Sequence, residues 1–371
     1  MAVTTPPHAR VRIPAPPAPG RGAVPDRRLG VLAIVVSATA MGAAGVFGRL
    51  ASPSGAVIGE ALTFGRMLVG ALGVLAILAC GRRLSVVRRT RLSWSVVVGG
   101  VALGLSLATL LSAAVLIDLS LAVALHYLGP VVAVVGARAL RGERAGRVEV
   151  AALATSVVGM LLISGVVGRT PAEATPDRTT GVVLATVSGV LYGVALLSYR
   201  YRADVPADVR SLGNFAFGAL GTGALVAVTR PDLTGMTATH WAWAAVLFVV
   251  CGLLALGLLV VAGKHLQSTE LSGLSFGELV VAMMLGAAVF GEQITALAAA
   301  GAVLVVVGAI LPLTACSRAP QASTTSPTVG RIDREEALTS ANAPDLPGCC
   351  VSSFVGQQPS IMCQVPSSSS S

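Results

Sequence analysis

Residues 93–137 read SWSVVVGGVALGLSLATLLSAAVLIDLSLAVALHYLGPVVAVVGA. The one carboxylate of this stretch is Asp118, near its middle, and the one imidazole is His126. A helix needs about 20 apolar residues to cross the hydrocarbon core of a bilayer, so the run is long enough for two crossings that turn at Asp118 with almost no loop. Backbone N–H and C=O groups in lipid must be satisfied within the structure, which predicts that both crossings are helical.

Working outward from this stretch, the same reading gives ten spans: 29–47, 56–80, 93–117, 119–139, 149–167, 181–199, 211–229, 241–262, 270–290 and 295–314. Composition agrees. Hydrophobic residues make up 54% of the 371 and charged residues only 12%, about half the charged share of an ordinary soluble domain. The 42 glycines against 4% aromatic residues fit helices whose backbones approach closely in lipid. The sequence therefore predicts an all-α integral membrane protein.

The net charge of +9 is no sign of nucleic-acid binding, because the basic residues lie between apolar segments and not on one solvated face. They sort by loop instead. Twenty-one of the 26 fall in the amino tail, the 2–3, 4–5, 6–7 and 8–9 connections and the carboxyl tail. Only Arg49, Arg169, Arg178 and Arg230 fall on the other side, and Arg66 lies inside a span. Cytoplasmic loops collect Arg and Lys, so both termini are expected in the cytoplasm of a multi-pass plasma-membrane protein. All but one of the basic residues are Arg, the exception being Lys264, a bias of GC-rich coding that points to a bacterial source. Arg27-Arg28 before an apolar run resembles a cleavable twin-arginine signal, but the run continues to Phe47, and Gly42, Gly45 and Gly48 make a packing stripe suited to a retained helix. Residues 1–28 are rich in Pro and Arg, and 315–371 in Ser, Thr and Pro, so both are expected to be disordered tails. The six Cys show neither a disulfide framework nor metal-type spacing.

The halves match at an offset of 148–149 residues. Gly65-Arg66 with Gly70-Ala71-Leu72-Gly73 aligns with Gly213-Asn214 and Gly218-Ala219-Leu220-Gly221. Leu128-Gly129-Pro130-Val131-Val132 aligns with Gly277-Glu278-Leu279-Val280-Val281, and Gly142-Glu143 with Gly291-Glu292. Two five-helix units are implied, 29–167 and 181–314. An odd number of helices inverts the second copy, an arrangement that surrounds a midplane site in many transporters.

These features resemble the EamA-type members of the drug/metabolite transporter superfamily. The similarity rests on the ten-span plan, on Leu62-Thr63-Phe64-Gly65-Arg66-Met67-Leu68, on Tyr127–Val132 leading to Gly142-Glu143-Arg144, and on Phe276–Val281 leading to Gly291-Glu292-Gln293. The family usually reads Glu-Pro where this chain has Glu278-Leu279. The resemblance implies a secondary transporter, commonly an exporter of amino acids or related metabolites, working by alternating access without ATP hydrolysis by the chain.

Ionisable groups inside the apolar core are costly and call for a partner or a task. Glu278 could bind a substrate amine or carry a coupling proton, with Ser275 on the same helical face, or it could only pair with Arg66. Arg66 could clamp a substrate carboxylate or tether helices, the repeat placing Asn214 at its counterpart. His126 and Tyr127 precede Pro130, whose ring frees a backbone carbonyl and shapes the span. Ser106, Thr109 and Ser112 share a face and are expected to hydrogen-bond between helices, while Trp241 and Trp243 are expected in the headgroup belt. The competing class is an intramembrane serine protease, because Gly273-Leu274-Ser275-Phe276-Gly277 spells G-x-S-x-G, yet no His follows His265 to serve as base. The expected partners are a small-molecule substrate, the bilayer and, as an option, a second copy in a homodimer. No nucleic acid, metal, cofactor or enzyme activity is expected.

Overall fold

The computed structural model describes residues 26–54, 56–90, 93–141, 147–164, 176–201, 205–266, 274–275 and 277–316. The amino and carboxyl tails beyond these, and the Gly142-Glu143 pair, lie outside the described residues. Every regular element among them is helical. Helix α1 (Arg27–Gly42) starts earlier than the apolar run because Asp26 caps it, its carboxylate accepting from the amides of Arg28 and Leu29. After one residue, Ala43, α2 (Ala44–Ala51) continues the span. Helix α3 (Gly59–Cys80) is followed by a short α4 (Leu84–Arg89), which the hydropathy pattern does not announce.

Helix α5 (Trp94–Leu116) and α6 (Leu119–His126) meet at Asp118, with α7 (Leu128–Arg141) after a break at Tyr127. The second half runs α8 (Arg147–Ser164), α9 (Pro176–Tyr201), α10 (Ala207–Thr229) and α11 (Ala238–Val246). A π-helical segment (Leu247–Leu254) joins α11 to α12 (Ala255–His265), followed by α13 (Gly277–Phe290) and α14 (Ala296–Cys316). Among the described residues, seven helices are long and apolar enough to cross a membrane: Arg27–Ala51, Gly59–Cys80, Trp94–Leu116, Leu119–Leu140, Pro176–Tyr199, Asp208–Thr229 and Ala238–Leu259. Three shorter apolar helices, Val150–Ile163, Gly277–Phe290 and Ala296–Gly308, occupy the remaining expected positions. The chain is a multi-pass membrane protein.

Packing recurs when the halves are exchanged. Helix α5 packs on α9 as α12 packs on α1, α7 on α9 as α13 on α1, and α10 on α5 as the π segment on α3. Close contacts repeat the exchange at single residues. Gly70 receives the ring of Phe215 and Gly218 the sulfur of Met67; Gly159 lies on the carbonyl of Gly301, and Gly308 on that of Ala152. Side chains at these points would collide, so glycine sets the interhelical distance where no hydrophobic drive separates helix from lipid. The Gly42, Gly45 and Gly48 stripe likewise packs, against the Glu278 carbonyl, Leu119 and Leu111.

Candidate functional site

Glu278 stands in the first turn of α13, nearer the helix start than its place in the 270–290 stretch implied. Glu278 is half-buried, and its backbone carbonyl lies against Gly42 at the end of α1. Tyr127 donates its hydroxyl to Oε2 of Glu278 at 3.3 Å. Pro130 accounts for the position of Tyr127. It falls in the first turn of α7, where no intrahelical N–H bond is lost, and its ring would clash with the carbonyl of His126 four residues back if the helix were continuous. The chain instead breaks at Tyr127 (φ −69°, ψ 3°).

His126 is buried next to it and joins a polar cluster that spans α5, α6 and α9. The hydroxyl of Ser106 donates to the carbonyl of Ser188 at 2.7 Å, and that of Ser188 to the carbonyl of Ser106 at 2.7 Å. Nδ1 of His126 lies 2.7 Å from the Ser188 hydroxyl. A hydroxyl has one proton. With that proton committed to the Ser106 carbonyl, Ser188 accepts from His126, which assigns a proton to Nδ1. The imidazole stacks on Tyr192 at 4.6 Å and meets Tyr127 edge-on at 6.1 Å.

Arg66 is 3% exposed and does not pair directly with Glu278: no hydrogen bond or ion pair joins them among the described residues. Its Nη2 donates to the carbonyl of Cys251 at 3.0 Å and approaches the Met41 sulfur at 3.1 Å. The π segment supplies this acceptor, because the change from i→i+4 to i→i+5 bonding releases carbonyls that an α-helix would occupy. The Cys251 thiol in turn donates to the carbonyl of Ala40 at 3.0 Å. Arg66 thus links α3 to α1 and the π segment, while its charge is felt at both Glu278 and His126. Its Nε has no hydrogen-bond partner.

The structure therefore gathers Glu278, Tyr127, His126 and Arg66. Asn214 is not hydrogen-bonded into this group, and its Oδ1 is buried without a partner. Ser275 is half-buried and precedes Glu278 by three residues; the imidazole of His126 is engaged by serines of α5 and α9. One expectation is corrected. Thr109 bonds to carbonyls of its own helix, Leu105 and Ser106, because a threonine hydroxyl reaches back one turn more easily than across to a neighbour. Trp243 stacks on Phe47 at 5.9 Å and Trp241 is half exposed, contacts that leave their depth in the bilayer open. Sequence reasoning missed Tyr192, Ser188, Met41 and Cys251. A tyrosine within an apolar span was signal enough for Tyr192, but nothing local marks the other three. Among the described residues no group of three or more His, Cys, Asp or Glu could hold a metal ion.

The fold and the buried charges define a multi-pass membrane protein with a polar centre. The profile of the EamA-like transporter family matches residues 28–165 and 179–314, and the chain belongs to that family, within the drug/metabolite transporter superfamily. No curated protein matches. Fourteen solved chains match; one, described only as "Crystal structure of protein", is 21% identical, covers 79% of this chain and 99% of its own, and superposes with a TM-score of 0.56. At that identity the likeness concerns the fold.

Proposed function

We propose that the chain is a secondary exporter of a small metabolite, such as an amino acid or related compound, working by alternating access across a bacterial plasma membrane. In this reading ten spans form two inverted five-helix repeats, with both termini cytoplasmic. The exchangeable contacts, such as Gly70 on Phe215 and Gly218 on Met67, support the repeats. Orientation rests on the loop charges. Polar ties also sort by connection: Arg83 with Asp208, and Asp26 with His265, join connections assigned to the cytoplasmic end, whereas Arg49 with Glu292 and Thr229 with Glu60 join those at the other.

The observation that carries the reading is the half-buried Glu278 carboxylate, held through one oxygen by Tyr127 and not directly bonded to Arg66. Such a group binds a substrate ammonium or a proton and can release either. Arg66 is saturated enough by Cys251 and Met41 to act as a tether, with its unpaired Nε turned to account by a substrate carboxylate. The protease alternative is not favoured, because Ser275 has no later histidine and His126 is committed elsewhere.

Glu278→Gln tests this. Since Glu278 has no direct bond to Arg66, the neutral isostere is expected to insert and accumulate normally while export falls at least about a hundredfold, as for loss of a group used in each cycle, roughly 2.7 kcal/mol. Glu278→Asp keeps part of the rate. Reconstituted Glu278→Gln protein that transports amino acids at the wild-type rate with an unchanged pH profile would sink the reading.

A further inference from the structure

The segments that pack round Glu278 are tied together a second time beyond the far end of α13. Helix α13 begins at Gly277 and ends at Phe290, a rise of about 20 Å for its length. Beyond it Gly291 takes a left-handed turn (φ +69°), and Glu292 folds back against Gly286, its amide 3.3 Å from the Gly286 carbonyl. Oε1 of Glu292 accepts from Nη1 of Arg49 at 2.9 Å and from the amide of Leu119 at 2.8 Å. Arg49 belongs to α2 and lies 4.4 Å from the Phe290 ring; Leu119 opens α6. Helix α13 carries Glu278, α2 follows one residue after α1, whose Gly42 rests on the Glu278 carbonyl, and α6 leads to Tyr127.

Apolar side chains fill the space between the two junctions. Val46, Leu119, Leu279 and Ala282 are all buried in one cluster. The Glu292 side chain is 8% exposed, yet its Oε2 has no hydrogen-bond partner. A permanent structural bridge would be expected to satisfy both oxygens, since a buried acceptor left open is costly. A half-satisfied carboxylate that clamps three helix ends is suited to being made and broken.

We infer that Arg49 and Glu292 form a releasable latch that closes this mouth of the transporter, acting as positioning residues for the Glu278 site. The inference rests on the alternating-access reading. Release lets α13 tilt away from α2 and α6 and opens the apolar plug, and closure returns the site to the opposite face. The energy for release comes from whichever ligand occupies Glu278, through its better fit to the open form.

The test is accessibility, which needs no transported compound. In a chain with its six Cys replaced and held in lipid nanodiscs, Val46→Cys reports on the plug one turn inside Arg49. Adding Glu292→Gln or Arg49→Ala is expected to raise its reaction rate with a membrane-impermeant methanethiosulfonate at least tenfold, and Arg49→Lys to raise it less. Unchanged labelling in both neutral variants overturns the latch even if Glu278→Gln abolishes transport; raised labelling supports it even if no amino acid is carried. Should the neutral variants not accumulate, Arg49→Cys with Glu292→Cys decides. Oxidised to a disulfide, the pair should stop efflux of a preloaded radiolabelled amino-acid mixture, with efflux resuming on reduction, and undiminished efflux through the cross-linked protein would overturn the proposal.

Discussion

Gly42 rests on the Glu278 carbonyl and on Val281, and Gly193 rests on the Gly129 carbonyl and on Val132. The two contacts are built alike, one from each half of the chain, but their chemistry differs. Where the second half offers a carboxylate at Glu278, the first offers a hydrogen atom at Gly129. Beside Gly42 lies Met41 against Arg66; beside Gly193 lies Tyr192 stacked on His126. A repeated frame thus carries charge on one side of the centre and aromatic and hydroxyl groups on the other. In the proposed alternating-access cycle the shared frame would let two similar halves exchange shapes, and the divergence would set the direction and the ligand preference. Symmetry sits in the glycines and asymmetry in what they bring together.

Breaking the frame should cost most, and cost equally on both sides. In Gly42→Ala and Gly193→Ala the added Cβ meets a backbone carbonyl, which cannot rotate away as a side chain would. Overpacking of this kind costs about 1–3 kcal/mol. The two variants are expected to lower the thermal unfolding midpoint in detergent by similar amounts. A large loss in one with none in the other would show that the halves are not mechanically equivalent at this point.

The aromatic side should respond less. Ser188→Ala removes a hydroxyl that binds the Ser106 carbonyl and His126. Interhelical hydrogen bonds in membranes average about 0.6 kcal/mol with a maximum near 1.7, so the loss is expected at about 1 kcal/mol and to fall on the α5–α9 pair. Ser106 keeps its own bond to the Ser188 carbonyl, which the substitution leaves intact. A variant as stable as the parent would mean that stacking on Tyr192 and the Ser106 hydroxyl at 3.5 Å suffice to hold His126.

The helices and the two halves were legible because both depend on composition and on short glycine patterns. Glu278, Arg66, His126 and Tyr127 were legible as residues that do not belong in hydrocarbon. Their connections were not. Whether Arg66 reaches Glu278 or Cys251 turns on the π segment Leu247–Leu254, which carries no proline or polar insertion to announce it. Ser188 looks like any small residue of an apolar helix until α5 is packed on α9. Glu292 was legible only as part of the Gly-Glu pair that matches Gly142-Glu143, and its bond to Leu119 joins residues from opposite halves. Hydropathy reports each helix against lipid, whereas these contacts depend on which helices become neighbours.

The smallest effect is expected at the counterpart of Arg66. Asn214 occupies the matching place in α10, and its Oδ1 is buried without a hydrogen bond. Arg66 holds Cys251 and Met41, so truncating it breaks contacts between three elements. Truncating Asn214 to Ala removes an acceptor that was left unpaired at a cost of about 1–3 kcal/mol. Against that gain stands the packing of the lost amide, and the two nearly cancel. Asn214→Ala is therefore expected to change stability by less than about 1 kcal/mol in either sense, and to leave export close to the parent rate. If Asn214→Ala instead lowers export tenfold at unchanged abundance, the open Oδ1 is a ligand for the transported compound, and the polar centre extends across both halves after all.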